Sequence, residues 1–167
     1  MAELTALESK IGEVLGLAMA AQDATQKVTK LVEDEGDHDD LRTTLQRMAK
    51  EAKETEARTT DLASELDGKK TAILEKARET KQEAVEMMST YLGDDADALD
   101  GFEFLTMAEA GEVGHWEILG TLNERARKSE VSELVDWALP IQKRHLDTVR
   151  KASLELASEE DPNETSS

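Results

Sequence analysis

The sequence contains no cysteine, and this absence excludes several classes of site. Without thiols the chain has no disulfide, no zinc–thiolate site, no iron–sulfur cluster and no thiol nucleophile. Proline and aromatic residues are also scarce, with two prolines and 3% aromatic residues in a chain of 167. Runs of β-branched residues that alternate with polar ones are missing as well, which argues against a β-sheet.

Long apolar stretches are another missing feature. None approaches the length of a membrane-spanning helix, and the first residues lack the basic segment and apolar core of a signal peptide. We therefore expect a soluble, cytoplasmic protein.

Positive charge is in short supply relative to negative charge. The 38 acidic and 20 basic side chains give a formal net charge of −18. Such a field repels nucleic acid and anionic membrane surfaces, so we expect neither as a partner. The charge fits a very soluble protein, a cation-rich partner or a salt-adapted host, and it does not choose among them.

The residues that are abundant, mainly Ala, Leu, Glu, Lys and Gln, are strong helix formers. Apolar residues recur at helical spacing in five segments, approximately 4–33, 40–66, 71–92, 97–127 and 129–157. Short turns join them, which predicts antiparallel neighbours and an all-α helical bundle. We expect this bundle to cover residues 1–158, followed by a disordered acidic tail over 159–167.

Helix ends are also predicted from the sequence. Thr5 and Glu8 have the spacing of a capping box before the first helix, and Gly36 is expected to end that helix. An aspartate between residues 37 and 40 is expected to cap the second helix, and Ser129 or Ser132 the fifth. The acidic turn over 33–40 lacks the spacing of a calcium-binding loop, which favours a solvated turn.

Polar residues interrupt the apolar stripes of the fourth and fifth segments. Glu112 and His115 lie at i, i+3 on the inward stripe of the fourth segment, beside Gly111. The stripe of the fifth segment contains His145 as a second inward imidazole, three residues after Gln142. Buried groups of this kind are costly unless they are partnered. A carboxylate and an imidazole on one helix face can share a metal ion, and iron or manganese suits such oxygen and nitrogen ligands.

The run Glu112-Val-Gly-His115-Trp-Glu-Ile-Leu-Gly-Thr-Leu122 resembles the fourth helix of ferritin-like proteins of the YciF-like branch. The run from Leu41 to Glu51 resembles that branch more loosely, and the likeness extends over most of residues 10–157. The resemblance implies an antiparallel four-helix bundle with an additional fifth helix. It also implies a di-iron-type carboxylate site and a role in iron handling or stress response.

Comparison with that family also identifies replaced ligands. Gln22 and Gln142 stand where the family has glutamates, and Met48 stands where it has a histidine, although Glu51 is retained. Glutamine is a poor metal ligand, so these exchanges argue against a full two-metal centre. The remaining candidate ligands are Glu51, Glu112, His115 and His145.

Three states of this site stay open at the level of sequence. The four candidate ligands can hold one iron or manganese ion, a two-metal centre can form, or the site can be a metal-free polar core. In the metal-free state the polar side chains satisfy one another, and a protonated histidine beside Glu112 is expected to balance its charge.

Three classes of function follow from these alternatives. The first is a ferritin-like metal-binding protein, and the second is a non-catalytic bundle that acts through its surface or as a homo-oligomer. The third, an oxygen-activating or hydrolytic enzyme, has the least support, since no catalytic serine motif or phosphate-binding loop is present. The sequence therefore favours a protein that is not an enzyme.

Overall fold

A computed structural model describes residues 2–165 of the chain. It contains five α-helices and, within those residues, no β-strand: α1 (Ala6–Glu35), α2 (Asp39–Glu65), α3 (Lys70–Tyr91), α4 (Ala98–Ala126) and α5 (Ser129–Ser158). The predicted all-α helical bundle is confirmed, and each helix end lies within about two residues of the predicted one. Among residues 2–165, no helix combines the length and the hydropathy that a transmembrane span requires.

The helix ends agree with the sequence predictions in part. Thr5 and Glu8 form the predicted capping box, and Gly36 follows α1 with a φ of 78° that favours glycine. The predictions for α2 and α5 were wrong: their N-caps are His38 and Lys128, neither of which makes a side-chain capping bond. A favourable residue type near a helix start does not fix which residue leaves the helical conformation first.

The last helix ends at Ser158, and residues 159–165 contain no further helix. The disordered acidic tail over 159–167 stays a prediction. Residues 166 and 167 of that tail, and residue 1 of the predicted bundle, lie outside the described range.

The helices α4 and α5 form an antiparallel hairpin. Thr106 contacts Ser153 at 3.2 Å between hydroxyl oxygens, and Asn123 donates to Ser132 near the turn at 2.8 Å. Residue numbers therefore rise along one helix as they fall along the other. The helices α1 and α2 form a similar hairpin around the short turn at 36–38.

The two hairpins pack against each other through α1 and α4 and through α2 and α5. Val28 lies against Gly101, and Lys10 lies against His115, so α1 and α4 are antiparallel. Since α1 is antiparallel to both α2 and α4, those two helices run in the same direction. The chain must therefore return along the bundle between them.

The helix α3 makes that return, and it packs mainly against α1. Gly16 permits the close approach, because a Cβ there would lie 2.8 Å from Thr80 Cβ and would also overlap the Ala77 carbonyl. By contrast, α3 makes few contacts with α4. This uneven packing leaves space on one side of α4.

The apolar core is divided into two clusters. The first includes Val28, Leu45, Phe102, Leu105 and Val149. The second includes Ile11, Leu62, Ile73, Trp116 and Val131. Between these clusters, α2, α4 and α5 carry several buried or half-buried polar residues, and these form the candidate site.

Candidate functional site

A layer of polar side chains crosses the bundle between the two apolar clusters. We call Glu51, Glu109, Glu112, Gln142 and His145 the polar layer. Glu51 comes from α2, the two other glutamates come from α4, and Gln142 and His145 come from α5. Glu109, Glu112, Gln142 and His145 are buried, with between 1% and 4% of their surface exposed. A buried polar layer is costly unless its members satisfy one another.

At one edge of the layer, Glu51 is held by an arginine of α5. Arg144 Nη1 donates to Glu51 Oε1 at 2.8 Å, and Arg144 Nη2 donates to Oε2 at 2.6 Å. These hydrogen bonds lower the pKa of the Glu51 carboxyl from 4.5 to about 2. Glu51 is therefore a carboxylate at neutral pH, and its charge is compensated by a guanidinium.

His145 connects that ion pair to the interior. Its Nε2 lies 3.3 Å from Glu51 Oε1, and its Nδ1 lies 3.8 Å from Glu109 Oε2. Burial lowers the pKa of His145 below 6.5, although Glu51 opposes the shift. This geometry assigns the hydrogen of a neutral ring to Nε2, from which it is donated to Glu51.

Glu109 and Glu112 form the centre of the layer. With the Gln142 amide oriented by its hydrogen bonds, its nitrogen donates to Glu109 Oε2 and to Glu112 Oε2, each at 3.0 Å. Burial raises the pKa of Glu109 to about 8. Burial and the neighbouring charge of Glu109 raise the pKa of Glu112 well above 4.5.

The structure differs from the expected metal-free core in how the charge of Glu112 is compensated. The sequence predicted a protonated histidine beside Glu112. Instead, the neighbour that bonds to Glu112 is the neutral Gln142, and the raised pKa of the Glu112 carboxyl favours its protonated form. A buried carboxyl that retains its own proton needs no cation.

The structure places His115 outside the polar layer. About 37% of its side chain is exposed, and its Nδ1 lies 3.1 Å from Lys10 Nζ and 3.3 Å from Glu13 Oε2, both on α1. Burial, followed by the charge of Lys10, lowers the pKa of His115. The side chain that was predicted to point inward is instead partly exposed, and it contacts charged residues of α1 rather than the polar layer.

The three replaced ligands have different environments. Gln142 belongs to the polar layer, whereas Met48 is 3% exposed and belongs to the first apolar cluster. Gln22 is half-buried and donates to Glu56 of α2, away from the buried acids. Only Gln142 therefore interacts with the predicted ligand Glu112.

Two members of the network were not identified from the sequence. Glu109 lies three residues before Glu112 and four after Leu105, so its helical spacing was a usable signal. Arg144 offered no such signal, because it is adjacent to His145 and 40% of its side chain is exposed. Its bond to Glu51 depends on how closely α2 approaches α5.

The polar layer does not fit the two-metal centre that the resemblance implies. Both oxygens of Glu51 accept from Arg144, and the Gln142 amide directs its hydrogens at Glu109 and Glu112. Cationic or donor groups thus occupy the positions from which metal ions would be bound. Within residues 2–165, no group of three or more His, Asp or Glu side chains is arranged to hold a metal ion.

A groove of about 380 Å³ lies between α1, α3 and α4, beside the polar layer. Its apolar walls include Leu17, Ala21, Ala84, Met88, Leu105 and Ala108. Glu109, Glu112 and His115 also line it, and Gly111 faces open space, since a Cβ there would meet no atom within 4 Å. Met87 and Met107 line the groove with 52% and 39% of their surface exposed.

Comparisons of the chain with protein-family models, with curated proteins and with solved structures give no match. The case for a function consequently depends on the groove and on the polar layer.

Proposed function

We propose that this protein is a non-catalytic binding protein that holds a small amphipathic molecule in the groove between α1, α3 and α4. The groove is the observation that carries the proposal. Its volume lies within the range of small-molecule sites, and its lining combines many apolar side chains with a few polar ones. Most hydrogen-bonding groups of the polar layer are directed at one another, which favours binding over catalysis, and Glu109 and Glu112 are the members of the layer that line the groove.

The groove exists because α3 approaches α1 closely but makes few contacts with α4. Apolar side chains that would normally be covered by a neighbouring helix therefore face an open space. Methionines at such a site adapt to ligands of different shape, because their side chains are flexible and polarisable. The exposed fractions of Met87 and Met107 are consistent with a ligand that covers them.

An environment-sensitive neutral dye, Nile red, tests the proposal. We expect the dye to fluoresce on binding to the wild-type protein and to lose that signal with Gly111→Leu, which puts a branched side chain into the open space. Leu154→Ser is the matched control, because Leu154 is an exposed apolar residue of α5 that does not line the groove. Equal dye binding by Gly111→Leu and wild type would refute the groove as the binding site.

We also propose that the bundle is ferritin-like. Ferritin-like bundles have one long crossover connection between two antiparallel hairpins. The hairpin α1–α2, the return through α3 and the hairpin α4–α5 have this connectivity. On this view the bundle consists of α1, α2, α4 and α5, and α3 is the additional helix.

Binding of one iron or manganese ion, in iron handling or stress response, is the second candidate function. It is favoured by Glu109 and Glu112, two buried acids with no lysine or arginine nitrogen among the described residues within 4.0 Å. An ion there would have to replace the Gln142 amide. Elemental analysis of protein purified without a chelator decides this question.

A further inference from the structure

Two carboxylic acids of α4 close the inner side of the groove. Glu109 and Glu112 are 2% and 4% exposed, and both line the groove. They are separated by three residues on one helix, so their side chains lie side by side on one face. A ligand that enters the groove therefore meets a pair of acids at its inner end.

This pair lacks a cationic partner within the described residues. No lysine or arginine nitrogen there lies within 4.0 Å of either carboxyl group. The nearest imidazole nitrogen, His145 Nδ1, is 3.8 Å from Glu109, beyond a hydrogen bond. The donor that reaches both acids is the neutral Gln142 amide. A cationic group that binds the pair therefore takes the place of a carboxyl proton, which is released to solvent.

The other charged residues of the groove lining are mostly acidic. Glu13 and Glu83 also line it, and the one lysine of its lining, Lys76, donates to Glu79 at 3.0 Å. The net charge of −18 adds an attractive field for cations around the whole protein. Charge complementarity thus favours a positively charged ligand over a neutral or anionic one.

We infer that the ligand is an organic amine, with an ammonium group on the Oε1 atoms of Glu109 and Glu112, which the Gln142 amide does not occupy, and an apolar chain along the groove. This inference rests on the proposed function, because the walls of the groove must accept the apolar chain. A primary ammonium has three donors and no acceptor, which matches a site made of two carboxyl groups. A metal ion would need more oxygen or nitrogen ligands than this pair supplies.

Titration calorimetry at pH 7 with n-octylamine and 1-octanol tests the inference, because the two probes share a chain and differ in head group. We expect the wild-type protein to bind octylamine at least about tenfold more tightly than octanol. The double variant Glu109→Gln, Glu112→Gln should lose this preference and retain octanol binding. Glu117→Gln, an exposed acid of the same helix, is the control and should keep the preference.

The outcomes separate the two proposals. Equal binding of octylamine and octanol by the wild-type protein would overturn the amine inference and leave the groove function intact. Binding of neither probe would overturn both. Tight binding of Mn²⁺ that excludes octylamine would assign the acid pair to a metal instead. If the double variant does not fold, the comparison of octylamine with octanol on the wild-type protein still tests the inference. Glu109→Gln or Glu112→Gln alone then replaces the double variant.

Discussion

Arg144 donates to both carboxylate oxygens of Glu51, at 2.8 and 2.6 Å, in a bidentate ion pair between α5 and α2. Planar guanidinium and carboxylate groups match in such a pair, which fixes the relative position of the two helices. Both oxygens of Glu51 are thereby occupied, although the family resemblance implies that this carboxylate binds a metal. The ion pair therefore fixes the contact between α2 and α5 and makes Glu51 unavailable to a metal ion.

Replacing Glu51 by glutamine should destabilise the protein in a pH-dependent way. The folded pKa of Glu51 is about 2, below its ordinary 4.5, so its contribution is present above pH 4.5 and is lost as the pH falls toward 2. We expect Glu51→Gln to lower the free energy of unfolding by about 1–2 kcal/mol at pH 7, discounted because Arg144 is partly exposed. Urea denaturation at pH 7 and pH 2.5 measures the difference, which should be clearly smaller at the lower pH.

Glu54 provides the matched control on the same helix. It pairs with Arg58 at 3.0 Å, and about half of each side chain is exposed. Glu54→Gln should change the free energy of unfolding by only about 0.5 kcal/mol or less. Equal losses for the two variants would show that the Glu51–Arg144 pair is no stronger than a surface contact.

The acid pair predicts a loss of stability at alkaline pH. The folded pKa of Glu109 is about 8, and that of Glu112 is also raised. Their protonated forms therefore stabilise the fold, fully below pH 4.5. This contribution is lost as the pH rises through the folded pKa values. Between pH 6.5 and 9 the unfolding free energy should fall by at least about 1 kcal/mol. Denaturation curves across that window measure the fall, to which His145 adds little because its pKa is below 6.5.

The double variant Glu109→Gln, Glu112→Gln should make the stability nearly constant over the same window. Glutamine retains the hydrogen bonds and cannot ionise. Glu117→Gln should follow the wild-type curve, since Glu117 is exposed. A wild-type stability that does not change between pH 6.5 and 9 would contradict the raised pKa values.

Metal content tests the expectation that came from the resemblance. If the polar layer holds one ion, protein purified without a chelator should contain iron or manganese, and Glu112→Gln and His145→Gln should each lower the occupancy about tenfold or more. His115→Gln should not, because His115 contacts Lys10 and Glu13 rather than the layer. A protein without metal that is unchanged by added Fe(II) or Mn(II) would end this candidate.

Gly16 and Gly111 should respond oppositely to alanine. At Gly16 the added Cβ would overlap α3. The cost of this overpacking exceeds the gain in helix propensity, so we expect the free energy of unfolding to fall by about 1 kcal/mol or more. At Gly111 the Cβ meets no atom within 4 Å, so we expect a gain of up to about 1 kcal/mol. Thermal denaturation of the two variants measures this difference, and a neutral Gly16→Ala would mean that α3 can move away from α1.

Homo-oligomerisation stays a prediction. Met87, Tyr91 and Met107 are exposed apolar residues on α3 and α4, and Met87 and Met107 line the groove. Burial of this surface by a second copy would compete with a small ligand. Light scattering with and without octylamine distinguishes the two occupants, because only a dimer that uses the groove would dissociate when the amine binds.

The sequence by itself determined the five helices, because helix propensity and apolar periodicity are local properties that survive in any bundle. It also identified Glu112, Gln142 and His145 as interior polar residues, since each follows the apolar stripe of its own helix. The Thr5–Glu8 capping box was readable for the same reason.

The tertiary structure alone decided which of these residues meet. The spacing of Glu112 and His115 within α4 does not show which helix each side chain will contact. In the structure His115 contacts Lys10 and Glu13 of α1, whereas Glu112 contacts Gln142 of α5. Arg144 reaches Glu51 only because of the distance between α2 and α5, and the groove arises because α3 packs on α1 rather than on α4. Periodicity fixes the face of a helix on which a residue lies, whereas the neighbour on that face depends on the packing of segments far apart in the chain.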